Sequence, residues 1–528
     1  MNKMNKMNKI NIPIFVIVHN QYEILKKSVD SYRNNINYPI EIVYHDVASV
    51  YYETLDYLKK EEQNGCKVYR SEVNNHHTVK DSIKDYLGKH PECKYVIMTD
   101  PDIELYNINS DILDIYIYAL HKLNKITVGP MLKIDDIPDG YYNKACAVSG
   151  HSSQFWNKPK KNIVFNKTTY KYIECNTDTT FQIFLANNIP ETFPHKNSIR
   201  FLEPYSAKHL DWYLCPNNIT PCKLFCYFTS SGISHWNNSD WRGKYYNNQT
   251  IKCLADKIKP KYNYIYYNNK CRCRNNYNFG NFILEFIYER LFNKKPILNI
   301  NGGKDKKDVI IGSGSVLNVA KNNSIIWGTG FMFGTEKIVK PKNILSVRGP
   351  LTRDRLLELG LDCPETYGDI GLILPYFYYP QVKKKYKIGI IPHYVDYDKF
   401  NQIYRNIDKN ISIINVTDPI EKVIKNILEC EMTMSSSLEG IITSHAYNIK
   451  CAWIKISDKI GGGHFKFRDY YGSININYTD GYKNLLPIDI IKQIPIDEII
   501  KFIDNYPNPE FPVNTKSIIK LCPFINIK

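Results

Sequence analysis

Short apolar runs alternate with amphipathic segments through the first part of the chain. Four runs of strand-like residues are separated by stretches in which apolar residues recur at helical spacing. The predicted strands cover residues 12–18, 40–44, 66–69 and 95–99, and the predicted helices cover residues 22–32, 51–61 and 78–87. Strands that alternate with helices form βαβ units, so this part is predicted to be an α/β domain with a parallel sheet.

The same alternation returns in the second half of the chain. A helix is predicted over residues 282–292, and strands are predicted at 309–311, 325–330 and 388–391. The strand at 309–311 runs into Gly312-Ser313-Gly314-Ser315, and backbone N–H groups in such a turn suit a bound phosphate. Because this turn lacks the Lys-Ser/Thr of a P-loop, ATP hydrolysis is not expected.

Between the two halves, residues 239–275 are rich in Asn, Lys and Tyr and poor in aliphatic residues. This composition is typical of a linker. The predicted organisation is a low-complexity tail at 1–10, a first α/β domain at 11–240, a linker at 241–275 and a second α/β domain at 276–528.

Length and charge narrow the class of protein. A chain of 528 residues is expected to hold two or three domains, and its formal charge of +16 suits anionic small substrates. A basic nucleic-acid-binding protein is a rival interpretation, but no basic helix or zinc-finger spacing accompanies the charge. The sequence has no signal-peptide core and no apolar run long enough to span a bilayer, and its cysteines are scattered singly. We therefore expect a cytoplasmic protein without a transmembrane segment.

The strand at 95–99 ends in two carboxylates, Asp100 and Asp102. A buried strand that stops there leaves both side chains at the carboxyl edge of the sheet, where open α/β sheets bind ligands. Two hard oxygen ligands suit Mg²⁺ or Mn²⁺. The plainer alternative is an ordinary polar turn, since Asp and Pro both favour turns.

The order of parts in this first half resembles a glycosyltransferase of the GT-A type, of the inverting family-two kind. His19-Asn20 follows the first strand, Asp46 follows the second, and Asp100-Pro101-Asp102 follows a later one. The resemblance implies a nucleotide-sugar donor, a glycan acceptor and a divalent metal held by Asp100 and Asp102. It also implies that Asp46 contacts the uracil or the ribose.

Three further positions in this half are candidate site residues. Asp178 stands just before an apolar pattern read as a helix, where an N-cap is the plain alternative. In the resembled family an acid at this point is the general base, and Asp211 is the rival candidate. His235 matches a late metal or diphosphate ligand, although a lone histidine is more often structural. Residues 149–152 are a weaker candidate for the acceptor side.

A series of motifs in the second half resembles the polysaccharide pyruvyl transferase family over about residues 276–475. The motifs are Val347-Arg348-Gly349-Pro350, Gly368-Asp369, Ile391-Pro392-His393-Tyr394 and Ser435-Ser436-Ser437-Leu438. The resemblance implies a GT-B-like pair of Rossmann-type lobes. It also implies transfer of the enolpyruvyl unit of phosphoenolpyruvate onto a sugar, often as a ketal bridging two hydroxyls.

One position departs from that family. Its motif usually reads Ser-Ser-x-Leu-His-Gly, with the histidine as catalytic acid, and this chain has Glu439 there. A glutamic acid with a raised pKa could supply the proton, and His393 or His445 are other possible donors. Arg348 is the predicted anion clamp, since guanidinium matches phosphate or carboxylate bidentately, with a surface ion pair as the alternative.

Substrate binding is assigned to Ser437 and Leu438 of these motifs and to Gly314 of the glycine-rich turn. Residues 466–468 add charge to the same cleft. Together the two resemblances predict a bifunctional enzyme of glycan synthesis that transfers both a sugar and a pyruvyl group. In a second interpretation the second half is a glycan-binding module whose catalysis was lost with the histidine.

Overall fold

A computed structural model describes most of the chain. It covers residues 11–141, 144–191, 195–213, 220–229, 262, 264–266, 278–292, 294–299, 307–380, 382–404, 408–476, 485–490, 492–511 and 513–524. The described residues form two compact units: residues 11–213 belong to the first, and those from 220 onward belong to the second.

The first unit is built on a nine-stranded mixed sheet and a two-stranded ribbon. Its strands, in chain order, are β1 (Ile12–Val18), β2 (Ile40–Val47), β3 (Lys67–Ser71), β4 (Tyr95–Thr99), β5 (Ile103–Glu104), β6 (Thr127–Pro130), β7 (Lys160–Phe165), β8 (Thr168–Glu174), β9 (Gln182–Leu185), β10 (Ser198–Phe201) and β11 (Lys208–His209). The helices are α1 (Tyr22–Asn35), α2 (Tyr52–Gln63), α3 (Val79–Lys89), α4 (Ile112–Lys122) and α5 (Lys144–His151).

The large sheet has the strand order β3-β2-β1-β4-β9-β6-β10-β8-β7. Neighbouring strands from β3 to β4 are parallel, whereas β9 runs antiparallel to both β4 and β6. Because β1, β2 and β4 are parallel neighbours or near neighbours, their carboxyl ends lie along the same edge. This edge carries the candidate site of the first unit.

Strand β1 stabilises this part of the large sheet by burying side chains on both faces. All seven of its residues are buried, and its side chains alternate between two hydrophobic clusters. Ile14 and Val16 join one cluster, and Phe15 and Ile17 join the other. A continuous apolar run is what a parallel strand covered on both faces requires.

The second unit contains two five-stranded sheets in which the recorded strand pairs are parallel. The first sheet has the order β13-β12-β14-β15-β16 and the second has the order β18-β17-β19-β20-β21. The strands are β12 (Tyr264–Tyr266), β13 (Ile297–Asn299), β14 (Val309–Ile311), β15 (Ser324–Trp327), β16 (Asn343–Ser346), β17 (Tyr386–Ile391), β18 (Ile411–Ile413), β19 (Cys430–Ser435), β20 (Cys451–Lys455) and β21 (Ile488–Asp489).

Helices flank both sheets of the second unit. They are α6 (Pro221–Thr229), α7 (Ile283–Phe292), α8 (Pro350–Glu358), α9 (Tyr397–Ile403), α10 (Ile420–Leu428), α11 (Leu438–Ala446), α12 (Phe465–Ser473), α13 (Ile496–Asn505) and α14 (Lys516–Lys520). The indole N–H of Trp327, in the first sheet, donates to the carbonyl of Ile518 in α14 at 3.0 Å. The C-terminal helix therefore packs against the first lobe of this unit.

The α/β class is confirmed in both units, including the two lobes of the second. The interpretation of residues 241–275 as a linker is wrong at Tyr264–Tyr266, which pair with both β13 and β14 inside a sheet. The helix α6 groups with the second unit rather than with the first domain drawn at 11–240. The helix expected after Asp178 is also wrong, because Gln182–Leu185 form β9 along the edge of β4.

None of the helices in the described part of the chain combines the length and the apolar character that crossing a bilayer requires.

Candidate active sites

Asp100 and Asp102 lie where β4 ends, at the edge of the large sheet. The Asp100 amide donates to the carbonyl of Thr179 at 2.6 Å, and the Thr179 hydroxyl donates to the Asp100 carboxylate at 2.6 Å. Asp102 is 5% exposed, and its Oδ1 atom has no hydrogen-bond partner among the described residues. At the strand end, the Asp100 carboxylate is thus held by a hydrogen bond, whereas one oxygen of Asp102 has no hydrogen-bond partner among the described residues.

Burial and mutual repulsion shape the charge of this pair. Burial raises the pKa of Asp100 well above its ordinary value, and the nearby charge of Asp102 adds to the effect. Burial likewise raises the pKa of Asp102 to about 7, with the charge of Asp178 contributing. Carboxylates crowded in a buried site are stabilised by a nearby cation.

Asp178 lies close to this pair and is held by a buried arginine. Arg200, on β10, donates to Asp178 Oδ1 at 3.0 Å and to the hydroxyl of Thr180 at 2.8 Å. The Arg200 side chain is almost fully buried, whereas that of Asp178 is 47% exposed. Burial alone would raise the pKa of Asp178, but the guanidinium and the Thr180 hydroxyl lower it to about 2. Asp178 is therefore an ionised carboxylate that a substrate can reach.

Asp211 and His209 approach the same edge from the ribbon formed by β5 and β11. Asp211 is buried, and its charge acts on Asp100. His209 Nδ1 lies 3.3 Å from Asp102 Oδ2, and the His209 ring stacks on Trp212. Burial lowers the pKa of His209 to about 4, so its imidazole is neutral near pH 7. His209 was not among the residues predicted from the sequence.

His151, from the predicted acceptor segment 149–152, contacts the other side of this cluster. Its ring meets Trp212 edge-on at 4.4 Å, and its Nδ1 atom donates to the carbonyl of Ala147 at 3.1 Å. Burial lowers the pKa of His151 to about 4, and the neighbouring His209 and the positive charge of Arg200 act in the same direction.

Asp46 is the second-last residue of β2 and lies next to His19, which follows β1. Val18 and Asp46 are in register across the two parallel strands, so both positions reach the same edge. The Asp46 carboxylate accepts from the amide of Ser49 at 3.0 Å, and His19 Nδ1 donates to the carbonyl of Val47 at 2.8 Å. Asp46 is buried, and the predicted contact with a nucleotide remains a prediction.

The chemistry of the donor set fits a hard divalent cation, because Asp100 and Asp102 offer carboxylate oxygens. Within the described part of the chain, one of these oxygens, Asp102 Oδ1, has no hydrogen-bond partner. Within the described ranges, no three His, Cys, Asp or Glu side chains are spaced to enclose an ion. Protein ligands here would therefore be few, with a diphosphate and water as the remaining ones. His235, the predicted further ligand, lies outside the described residues.

In the second unit, Arg348 is fully buried and belongs to a network of side chains, and its role as an anion clamp stays a prediction. It forms a fully buried ion pair with Asp469, with Nε 2.9 Å from Oδ2. Its other nitrogens donate to the Ser315 hydroxyl at 2.6 Å and to the Phe331 carbonyl at 2.5 Å. Asp469 also accepts from the amide of Thr352 at 2.8 Å. This network joins α12 to the start of α8.

Lys466, in the first turn of α12, is the basic residue that remains for an anion. It is only 7% exposed, and its ammonium group lies 5.3 Å from the centre of the Phe467 ring. Within the described part of the chain, no hydrogen bond or ion pair of this group is recorded. Burial lowers its pKa, and the charge of Arg348 acts in the same direction while that of Glu439 opposes it.

Glu439 lies in the first turn of α11, directly after the Ser435-Ser436-Ser437 turn. Its carboxylate accepts from the hydroxyl of Ser437 at 3.3 Å. The glutamate side chain packs on Gly280, where an added Cβ would lie 2.2 Å from Glu439 Cγ. Ser437 and Leu438 are themselves buried, so they support Glu439 rather than line an open surface.

His393 reaches the same edge, because β17 and β19 are parallel neighbours with Ile391 in register with Ser435. The amide of His393 donates to the Ser436 hydroxyl at 2.9 Å. Burial lowers the pKa of His393 to about 4, against the influence of Glu439. His445 is fully buried, with its two ring nitrogens bound to Tyr470 and Asn508, which makes it a structural histidine.

Gly314 occupies the glycine-rich turn after β14, as expected. Its φ of +80° is one that glycine adopts without strain, and its carbonyl accepts from the Thr329 hydroxyl at 2.6 Å. Asp369, from the Gly368-Asp369 motif, is buried in the same region. Burial raises the pKa of Asp369 to about 7, with Glu439 and Asp469 contributing and Arg348 opposing.

Sequence comparison finds one curated relative at useful similarity. The chain is 32% identical over 176 residues to the uncharacterised protein L143 of Acanthamoeba polyphaga mimivirus. The match covers 32% of this chain and 61% of the relative, so the chain spans about three fifths of that relative's length.

The solved structures that are similar to this chain include glycosyltransferases at low sequence identity. S. aureus TarS in complex with UDP-GlcNAc is 12% identical, with a TM-score of 0.24, over 47% of this chain and 66% of that one. GalNAc-T7 with UDP, GalNAc and Mn²⁺ is 13% identical, with a TM-score of 0.26, over 48% and 57% of the two chains. The mannosyltransferase PcManGT from Pyrobaculum calidifontis, with GDP-Man and Mn²⁺, is 17% identical, with a TM-score of 0.20, over 24% and 36%.

The family comparison is more extensive. The model for "Polysaccharide pyruvyl transferase" matches residues 162–458, more than half of the chain. The matched range begins earlier than the motifs at 276–475 indicated and includes part of the first unit. It contains the Arg348, Asp369, His393 and Glu439 positions described above. The chain belongs to the polysaccharide pyruvyl transferase family.

Proposed function

We propose that the chain joins two transferases of glycan synthesis. The first unit transfers a sugar from a nucleotide sugar to a glycan acceptor, and the second transfers a pyruvyl group from phosphoenolpyruvate to sugar hydroxyls. The observation that carries the first assignment is the grouping of Asp100, Asp102 and Asp178 at one sheet edge. Family membership and the cluster of Lys466 with Glu439 carry the second.

In the first unit, Asp100 and Asp102 would hold Mg²⁺ or Mn²⁺. When bound, such an ion would neutralise the diphosphate of the donor as it leaves. Asp46 and His19, at the neighbouring strand ends, would contact the nucleoside. The buried strands beneath these residues fix their spacing, and this is how the fold would orient the donor.

Asp178 would act as the general base. Its carboxylate is ionised, reachable and oriented by Arg200, so it can take the proton from the acceptor hydroxyl as that oxygen attacks the anomeric carbon. A low pKa makes the Asp178 carboxylate a weak base. A weak base is sufficient, because the proton of the acceptor hydroxyl becomes strongly acidic as its oxygen bonds to the anomeric carbon. Asp211 is the poorer candidate, because it is buried.

In the second unit, Lys466 would bind the phosphate or carboxylate of phosphoenolpyruvate. Among the described residues the Lys466 ammonium group forms no direct ion pair, so an incoming anion would stabilise its buried charge. The glycine-rich turn at Gly314 offers backbone N–H groups. Arg348 contributes indirectly, since its network with Asp469 fixes the helix α12 that carries Lys466.

Glu439 would donate a proton to the methylene carbon of phosphoenolpyruvate. The C2 atom then becomes cationic, and an acceptor hydroxyl forms a bond to it while releasing its own proton back to Glu439. A second hydroxyl of the sugar replaces the phosphate at C2, which leaves as inorganic phosphate with the second hydroxyl proton. The products are a pyruvyl ketal and phosphate, so the atoms and charges balance.

A glycan-binding module is the second candidate for this unit. Two observations favour it: Glu439 stands in place of the family's histidine, and Arg348 is committed to Asp469, Ser315 and Phe331. Such a module would bind glycan without consuming phosphoenolpyruvate.

The test is mass spectrometry of the products from a panel of sugar nucleotides and acceptors, each with and without phosphoenolpyruvate. The proposal predicts a glycosylated product in both conditions and an added pyruvyl group only with phosphoenolpyruvate. Sugar transfer without any pyruvyl product would favour the binding module, and no product of either kind would contradict the proposal.

A further inference from the structure

Phe333 presents an aromatic ring at the surface of the second unit. It lies on the loop between β15 and β16, and its side chain is 54% exposed. A single exposed apolar residue is common in proteins, whereas one that borders a binding site contributes to ligand contact. Both the loop that carries Phe333 and the segment beside it distinguish this ring.

The backbone around Phe333 is fixed by Glu336. One oxygen of the Glu336 carboxylate accepts from the amides of Met332 at 2.9 Å and Phe333 at 3.0 Å, and the other accepts from the amide of Thr335 at 3.1 Å. Burial alone would raise the pKa of Glu336, but these backbone hydrogen bonds lower it. Hydrogen bonds to a charged carboxylate are the stronger kind, so the exposed ring is carried by an ordered turn.

This turn packs against the glycine-rich segment 461–463, which leads into α12. A Cβ atom on Gly461 would lie 3.3 Å from Met332 Sδ and 3.8 Å from Phe333 Cζ. A Cβ atom on Gly462 would lie 2.9 Å from the Met332 carbonyl oxygen and 3.0 Å from Lys466 Cδ. The two glycines therefore bring the Phe333 turn close to Lys466, the residue proposed to bind phosphoenolpyruvate.

The surface beside the ring is open and bordered by backbone. Gly461 and Gly463 are exposed, and in the described part of the chain no atom lies within 4 Å of a Cβ built on Gly463. A pyranose ring has C–H groups on its faces and hydroxyls around its rim. An aromatic face next to exposed amide and carbonyl groups is complementary to such a ring.

We propose that Phe333 is the platform on which the acceptor sugar of the second unit stacks, with the sugar hydroxyls directed toward segment 461–463 and Lys466. This proposal rests on the proposed function for its class of ligand, since both pyruvyl transfer and the glycan-binding module require a sugar in this unit. It makes Phe333 a residue that determines which sugars are accepted.

The experiment is ¹⁹F NMR of the full chain labelled with 4-fluorophenylalanine. The resonance that is missing from Phe333→Leu belongs to Phe333, and Phe333→Tyr gives the same assignment if the leucine variant does not fold. Methyl β-D-galactopyranoside, methyl β-D-glucopyranoside and methyl α-D-mannopyranoside are each titrated into the unaltered protein. The Phe333 resonance should shift and saturate with at least one of them. The matched control is Phe502, which is 40% exposed on α13 and whose resonance should stay unchanged.

Kinetics of pyruvyl transfer give a second readout. Phe333→Ala should raise the KM for the acceptor by about tenfold or more, as truncation of a contact aromatic does, and leave the KM for phosphoenolpyruvate unchanged. Phe333→Tyr keeps the ring and should keep the acceptor KM of the unaltered protein. Phe502→Ala should alter neither constant.

A Phe333 resonance that does not respond to any of the three sugars would overturn the inference, as would an unchanged acceptor KM in Phe333→Ala. Pyruvyl transfer that is independent of Phe333 would leave the proposed function intact and remove only this residue from it. A sugar-dependent shift in a protein that transfers no pyruvyl group would support the sugar platform while contradicting pyruvyl transfer. The two proposals can therefore fail separately.

Discussion

The two candidate sites use similar sheet edges but opposite charge. In the first unit, three carboxylates lie close together, those of Asp100, Asp102 and Asp178. The buried guanidinium of Arg200 neutralises the charge of Asp178. In the second unit, Arg348 is neutralised by Asp469, which leaves Lys466 as a buried cation beside Glu439. One site is therefore suited to a cation and the other to an anion, although both lie at the carboxyl ends of parallel strands.

The comparison also shows that an ion pair can serve two purposes. Arg200 is buried and holds Asp178, whose side chain remains 47% exposed, so that pair presents a reactive group. Arg348 and Asp469 are both fully buried, so that pair joins elements of the fold. The two ion pairs differ in the exposure of the acidic residue, since Asp178 is partly exposed and Asp469 is fully buried.

The largest effect is expected from Asp102→Asn. The variant should reduce sugar transfer by roughly 10³-fold or more, since metal ions contribute several kcal/mol of charge stabilisation, while pyruvyl transfer to a preformed acceptor is unchanged. Initial rates of both reactions measure the contrast. Asp30→Asn, which removes an exposed helix carboxylate, is the control and should leave both rates unaltered.

Arg348→Met should destabilise the second unit by about 3–5 kcal/mol, because it leaves the Asp469 carboxylate buried and unpaired. Arg70→Met, which breaks an exposed pair with Glu62, should cost less than about 1 kcal/mol. Urea unfolding followed by far-UV circular dichroism compares the two. Equal shifts of the midpoint would show that the pair of Arg348 and Asp469 stabilises the second unit no more than an exposed pair does.

These contrasts bear on what the sequence alone predicts. Strands β1 to β4 and the position of Asp100 and Asp102 at the end of β4 were predicted correctly, because long apolar runs and strand-end acids are local patterns. Their role as metal ligands stays a prediction. The strand β9 was mistaken for a helix, since four apolar residues after an acid fit both structures and pairing with β4 decides between them. The three-residue strand β12 was missed for the same reason.

The site was less predictable than the fold. Arg348 matched its motif, but its burial against Asp469 depends on a partner more than a hundred residues away in the chain. His209 gave no signal of its own, because the pairing of β5 with β11 is what places it beside Asp102. Arg200 could have been noticed, since a single arginine inside an apolar strand requires a buried partner.

Glu439→Gln should lower pyruvyl transfer by a factor of roughly 10², the usual contribution of a general acid, with little change in phosphoenolpyruvate binding. His393→Gln is the informative companion because His393 reaches the same edge. If Glu439→Gln retains the normal rate and His393→Gln loses it, the proton comes from the imidazole. Single-turnover rates with saturating phosphoenolpyruvate distinguish the two variants.

The smallest effect is a pH dependence of phosphoenolpyruvate binding. Burial lowers the pKa of Lys466, so its positive charge is lost as pH rises through a value below the ordinary ~10.4 of lysine. Affinity should therefore be greatest at lower pH and fall as Lys466 deprotonates. Lys466→Arg should remove this transition, and the exposed Lys459→Met should keep it. Titration calorimetry across the alkaline range measures the change.

The central claim is that one chain holds two independent transferase sites. Its most direct test mixes the Asp102→Asn and Glu439→Gln variants with an acceptor, a nucleotide sugar and phosphoenolpyruvate. Each variant alone should fail to complete the pyruvylated product, whereas the mixture should form it, because each supplies the step that the other lacks. Mass spectrometry of the product gives the answer. A mixture that produces no more of this product than either variant alone would contradict the account.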